Sequence, residues 1–164
     1  MEIAIISDTH LPKGTRRLPQ GCRERLRAAD LIVHAGDFST LVVLEEIQTY
    51  GRVVAVHGNA DDAAVRATLP ATAIVQADGA RVGVIHDAGP SRERLERMRR
   101  RFAAAEVDAV VFGHSHTPLH ERSADGFQIF NPGSPTERRR APHHSMGICR
   151  ALAATLTFEL VDLD

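Results

Sequence analysis

Three short runs rich in Ile and Val, at residues 2–6, 31–35 and 52–57, are separated by two helix-patterned stretches, Gly21–Ala29 and Thr40–Thr49. Runs that lack a polar alternate suit strands buried on both faces, and strand–helix–strand order demands parallel pairing through right-handed crossovers. Ser39 or Thr40 is placed to cap the second helix. A short helix follows over Asp62–Leu69, stopped by Pro70. Asp78-Gly79 then separates Ala73–Ala77 from Arg81–Ile85, a hairpin signal. Beyond it, Ser91 is placed to cap an Arg-rich helix through about Ala105, and the strand Ala109–Phe112 comes next. Leu119–Arg122, Phe127–Phe130, Gly147–Ala153 and Leu156–Val161 read as strands of a second sheet-like part. The expected architecture is an α/β fold, a two-sheet α/β sandwich. No linker, repeat or low-complexity tract divides the 164 residues, so residues 1–164 read as a single domain.

A formal net charge of −1 gives no global field toward nucleic acid or an anionic membrane. No apolar run approaches the ~20 residues that cross a bilayer. Met1-Glu-Ile-Ala-Ile-Ile6 is strand-like, without the basic flank and cleavage site of a signal peptide, so a soluble, cytoplasmic protein is expected. Cys22 and Cys149 lack a paired spacing and read as reduced thiols. Lys13 is the only lysine, a bias of composition rather than mechanism.

Each apolar run ends in a motif of potential metal ligands: Asp8-Thr-His10, Gly36-Asp37, Gly58-Asn59, His86 and Gly113-His114-Ser-His116. In open α/β sheets, sites form beyond the carboxyl ends of the strands, where all seven ligands can meet. If the backbone there is extended, residues two apart point to one side, which pairs Asp8 with His10 and His114 with His116. Glycines 36, 58 and 113 let the chain turn sharply. Asp oxygen, His nitrogen and an Asn carbonyl, with no thiolate, suit Mn²⁺, Fe²⁺ or Zn²⁺ and not an all-oxygen Ca²⁺ site. A carboxylate bridging two ions ~3.5–4 Å apart is the arrangement of two-metal hydrolases, and Asp37, central in the set, is the candidate bridge.

In this order the motifs resemble those of the calcineurin-like metallophosphoesterase superfamily, a four-layer fold, and Asn131-Pro-Gly-Ser134 is similar to its small YfcE-type phosphodiesterases. The resemblance runs from residue 1 to about residue 135. It implies one metal on Asp8, His10, Asp37 and His116 and a second on Asp37, Asn59, His86 and His114. It also implies two divalent ions, Mn²⁺ before Fe, Zn or Ni, and a metal-bridging hydroxide that attacks the phosphorus of a small phosphodiester. Asp37 and Asn59 are then the catalytic residues, Asn59 helping to position phosphate. Two features depart from the pattern. Larger relatives place a proton-donating His directly after Gly-Asn, whereas Ala60-Asp61 stands here; and His86 is followed by Asp87 where many have Gly.

Arg138 and Arg139, with Arg140, lie in the segment Ser134–Ser145; their forks suit phosphate oxygens, so the segment is either a substrate-recognition loop or a solvated basic one. Arg92–Arg101, interleaved with Glu93 and Glu96, reads as an exposed helix face. His34, inside an apolar run, reads as a hydrogen-bonded core residue or one that orients a ligand; His120, His143 and His144 read as surface or loop residues. His57, just before Gly58-Asn59, is the first alternative proton donor. Three alternatives remain: a phosphomonoesterase with the same site, an interaction scaffold like the retromer subunit of this fold, and a nucleic-acid-processing role. Retention of coordinating side chains at all seven positions argues against the scaffold. Six Phe, one Tyr and no Trp leave little for stacking bases and argue against nucleic acid. A homo-oligomer is left open.

Overall fold

A computed structural model describes residues 1–164. The chain runs β1 (Glu2–Ile6), α1 (Gln20–Ala28), β2 (Leu31–His34), α2 (Leu41–Gln48), β3 (Val53–Ala55), α3 (Ala63–Thr68), β4 (Thr72–Ala77), β5 (Ala80–Ile85), α4 (Arg94–Arg101), β6 (Ala109–Val111), β7 (Leu119–Arg122), β8 (Gln128–Asn131), β9 (Ser145–Leu152) and β10 (Thr155–Asp162). Two five-stranded sheets result, ordered β10-β9-β1-β2-β3 and β4-β5-β6-β8-β7. β1, β2 and β3 are parallel, as are β5, β6 and β8, and the outer strands run antiparallel. No helix is long and apolar enough to cross a membrane.

Alternation along the strands explains the layering. Ile3 and Ile5 of β1 face Val82, Val84, Val111 and Phe130 of the other sheet in an inter-sheet core. Ala4 and Ile6, on the opposite face, pack with Cys22 and Leu26 of α1 and Val43, Leu44 and Ile47 of α2. The outer face of the second sheet, through Val110, Phe112 and Ile129, covers Met98 of α4 and Phe102. Both cysteines are buried and unbridged. Burial raises both thiols to about 12, which keeps them protonated and unreactive.

Three expectations need correction. The last four strands do not form one sheet: β7 and β8 extend the β4-β5-β6 sheet, while β9 and β10 cross back to the free edge of β1, Ile3 opposite Cys149 and Ile5 opposite Gly147. Pairing there satisfies an edge that would otherwise expose its peptide groups. Thr40 is the N-cap of α2, yet neither it nor Ser39 supplies a side-chain cap bond. The α4 helix starts at Arg94, after Glu93 in a left-handed conformation, and ends at Arg101, with a separate 3₁₀ turn over Ala103–Ala105. Ser91 therefore closes a turn through its carbonyl, which accepts from Arg94 N, instead of capping a long helix.

Candidate metal centre

All five motifs sit where expected, just past β1, β2, β3, β5 and β6. The backbone that presents them is not the extended one. Asp8, His10, Asp37, His114 and His116 have φ of 56°, 44°, 61°, 69° and 57°, a region that non-glycine residues enter at a cost of about 1–3 kcal/mol each. Ligands two apart thus converge through left-handed turns, not through strand alternation. Only Gly36 of the three motif glycines has positive φ. Gly58 and Gly113 answer a demand for space: a Cβ at 58 would lie 2.1 Å from Asp37 Oδ1, and one at 113 would lie 1.9 Å from Ser7 Oγ.

The ligand atoms form two groups that share one carboxylate oxygen. In the first, His116 Nε2 is 3.4 Å from Asp8 Oδ1 and 3.2 Å from His10 Nε2, and His10 Nε2 is 3.6 Å from Asp37 Oδ2. In the second, His86 Nε2 is 3.3 Å from the same Asp37 Oδ2 and 3.1 Å from Asn59 Oδ1, which lies 2.8 Å from His114 Nδ1. A cation with ligands ~2.1 Å away separates neighbouring ligand atoms by ~3.0 Å in octahedral and ~3.4 Å in tetrahedral geometry, so these spacings fit two ions. Asp8 Oδ1 adds a second sign: it is buried and has no hydrogen-bond donor. Its partner Oδ2 accepts from the His114 amide at 2.9 Å, while Asp37 Oδ1 accepts from Ala60 N at 2.8 Å, leaving Oδ1 of Asp8 and Oδ2 of Asp37 to face the histidines.

Electrostatics follow from burial and proximity. Desolvation raises Asp8 to about 7, with the charge of Asp37 adding to the rise. Burial also acts against the charge on Asp37, but the His86 hydrogen bond and charge outweigh it and hold the group at about 2. Burial lowers His10, and lowers His116 to about 4, so both are neutral and able to offer Nε2. His86 is the exception: burial would lower it, yet Asp37 and Asp8 raise it above the usual histidine value. His86 Nδ1 is bonded to Ala35 O at 2.7 Å and His116 Nδ1 to Glu137 O. Donation from Nδ1 to those carbonyls turns each Nε2 inward.

A frame of hydrogen bonds holds the ligand loops. Asp61, 3% exposed, accepts from Asp37 N (3.1 Å), Ser39 N (2.8 Å) and Gly58 N (2.7 Å), tying two ligand loops together. Sequence reasoning assigned it no role; its signal was a carboxylate two residues after Asn59. His34 is a core residue, stacked on Phe38, and its Nδ1 accepts from Gly36 N at 3.1 Å. Asn131 donates to Gly113 O, Ser134 to Asp8 O and Thr136 to Thr9 O. The Asn-Pro-Gly-Ser motif accordingly braces the site from behind.

The other candidates are dispersed. Arg138 is turned to Ala141 O at 2.9 Å, whereas the charge of Arg139 is felt by both His10 and His116, on the side of the first ligand group. His57 and Asp87 line a cleft that also includes Asn59 and His86. His120, on edge strand β7, donates from Nε2 to Gln128 Oε1 of β8, and His143 and His144 pair with Asp162 and Asp164 at the surface.

Comparison with known proteins gives the family and the fold. The sequence profile of the calcineurin-like phosphoesterase superfamily domain matches residues 1–152. A probable metallophosphoesterase of Methanocaldococcus jannaschii is 36% identical over 141 residues, 85% of this chain and 70% of the relative. Among solved structures, Vps29 of Chaetomium thermophilum superposes with a TM-score of 0.83 at 19% identity, covering 99% of this chain and 86% of the other. Vps29 of Entamoeba histolytica, crystallised with Zn²⁺, gives 0.76 at 21% identity over the full length of both. At such identities the two structures speak for the fold.

Proposed function

Since the chain belongs to the calcineurin-like phosphoesterase superfamily, we infer that it is a binuclear phosphodiesterase acting on a small phosphodiester. The observation that carries this reading is the position of Asp37 Oδ2, 3.6 Å from His10 Nε2 and 3.3 Å from His86 Nε2, where one oxygen serves both ligand groups. Two divalent cations at such a site, Mn²⁺ first by the family resemblance and Fe, Zn or Ni next, would supply Lewis acidity that lowers the pKa of water and neutralises charge on phosphoryl oxygens.

The chain's own residues do the positioning. Asp8, His10, Asp37 and His116 make one cage and Asp37, Asn59, His86 and His114 the other. Asn59 points its carbonyl between two imidazoles, where it would help hold a cation and, through it, place the phosphoryl group on that side. Arg139, near His10 and His116, supplies positive charge at the opposite side, while Arg138 is occupied by its own loop. Ala60 has no proton to give, so the leaving oxygen departs without a side-chain acid directly after Asn59. A scaffold of the same fold would leave the shared oxygen of Asp37 and the orphaned Asp8 Oδ1 without a role.

The test is metal content measured beside a panel of diesters and monoesters. Two ions per chain, chelator-sensitive turnover restored best by Mn²⁺ and preference for aryl diesters are expected. Undiminished turnover by metal-free protein would overturn the reading; higher turnover on monoesters would replace the substrate class.

A further inference from the structure

A cleft of about 380 Å³ opens beside the second ligand group, with Asn59 and His86 in its wall. Two of its ten lining residues are hydrophobic, and no Phe, Tyr or Trp is present to stack a base. Two arginines from separate elements reach it, Arg66 of α3 and Arg101 at the end of α4, together with Thr72 and Asp87. Neither arginine is ion-paired; the arginines that do pair with carboxylates are Arg16, Arg92, Arg99 and Arg150, elsewhere on the molecule. Arg66 is oriented, because Nη2 donates to Asn59 O at 2.5 Å, which leaves its other N–H groups free. Asp87, the one acid in the lining, has Oδ1 engaged by Gly89 N at 2.7 Å.

Two unneutralised guanidinium forks beside a phosphoryl site form a receptor for a second oxyanion. We propose that the substrate is a phosphodiester with a second anionic group, phosphate or carboxylate, on one ester arm, and that Arg66 and Arg101 bind this group while the scissile phosphoryl rests at Asn59 and His86. The proposal rests on the phosphodiesterase reading and narrows its substrate class. Two guanidinium groups without a carboxylate partner, and the absence of Phe, Tyr and Trp, favour an anionic arm in the cleft over a nucleobase.

The test uses three 4-nitrophenyl phosphodiesters with a common leaving group, whose second arm is methyl, 2-carboxyethyl or 2-phosphoethyl. One anionic arm should exceed methyl in kcat/KM by at least ~10-fold at low salt, as a charge-assisted contact does, and the better arm identifies carboxylate or phosphate. The ratio should fall toward one in Arg101→Gln and Arg66→Gln and persist in Arg52→Gln, an exposed arginine at the opposite end of β3. A ratio of one in the unaltered protein, or one that survives both cleft variants, overturns the proposal. Calorimetry separates this from failure of the catalytic reading. Ethane-1,2-diyl bisphosphate should bind the purified metal-loaded protein at least ~10-fold more tightly than ethyl phosphate, whether or not any ester is cleaved, and Arg101→Gln should remove the difference. Equal affinities would overturn the proposal even in an active enzyme.

Discussion

Asp61 is the residue whose removal most directly tests how the site is held. Its carboxylate accepts three amides at 2.7–3.1 Å, from Gly58, Ser39 and Asp37, and is 3% exposed. Hydrogen bonds to a charged acceptor contribute about 1.5–3 kcal/mol each, and a buried amide left without one costs about 1–3 kcal/mol. Asp61→Ala orphans all three donors, so with partial recovery by water we expect a loss of about 3–5 kcal/mol. Asp61→Asn keeps one acceptor oxygen and turns an NH₂ toward the remaining amide, for a loss of about 1–3 kcal/mol. Freed at its amide, Asp37 also loses the orientation that points Oδ2 at His10 and His86, and metal affinity should fall ~10–100-fold, as for other residues that orient ligands. Urea unfolding of metal-free protein measures the first effect, and metal content after dialysis measures the second. Stability of Asp61→Ala within ~1 kcal/mol of the parent, with two ions retained, would refute the frame argument.

Asp37→Asn, which removes the charge shared by both ligand groups, should release at least one ion per chain and lower kcat/KM by more than ~100-fold, beyond what orienting residues cost; two bound ions and near-normal turnover would reject Asp37 as the bridge. Asp8 is raised to about 7 from 3.8, so between those values the metal-free fold holds a proton that the unfolded chain has released, and its contribution to stability falls as pH rises through the window. Metal binding must expel that proton and any carried by His86, which is also raised, so calorimetry in buffers of different ionisation enthalpy should find at least about one more proton released at pH 6 than at pH 8; equal release would count against the buried acid. With no proton donor at Ala60, kcat/KM should drop steeply with leaving-group basicity, by at least ~10²–10⁴-fold from aryl to simple alkyl diesters. A flat series, with chemistry rate-limiting, would point to another acid and make His57 the first residue to mutate.

How far the molecule could be read in advance depended on whether the signal was local. Apolar runs at 2–6 and 31–35 are buried on both faces, so composition alone identifies them as central parallel strands. The ligand motifs were legible for the same reason, since each is anchored to the end of such a strand. Partnership between distant strands was not local: nothing in Gly147–Ala153 says that it pairs with β1 while Phe127–Phe130 pairs with β6, because both are short, apolar and bounded by turns. Asp61 stayed hidden because its function is acceptance of backbone amides, which no side-chain pattern announces. Arg66 and Arg101 stayed hidden because they line one cleft only once the fold has placed α3 and α4.

The backbone geometry of the ligands indicates what the frame is for. Five ligand residues in left-handed conformations cost about 1–3 kcal/mol apiece, a sum comparable with the ~5–15 kcal/mol that stabilises a whole domain. Short loops could not hold such turns unaided. Here Asp61, His34, Asn131, Ser134 and Thr136 bond the loops' amides and carbonyls without touching the space between the ligand groups. The turns are therefore imposed by protein–protein hydrogen bonds that do not depend on a cation. Metal binding then has to offset only the remaining electrostatic misfit, a buried acceptor on Asp8 and a proton to displace, instead of ordering the loops. That division places affinity in the ligands and geometry in the buried residues behind them, and it explains why Gly58 and Gly113 must stay small: a Cβ at either would push against Asp37 or Ser7 at the point where the frame meets the ligands.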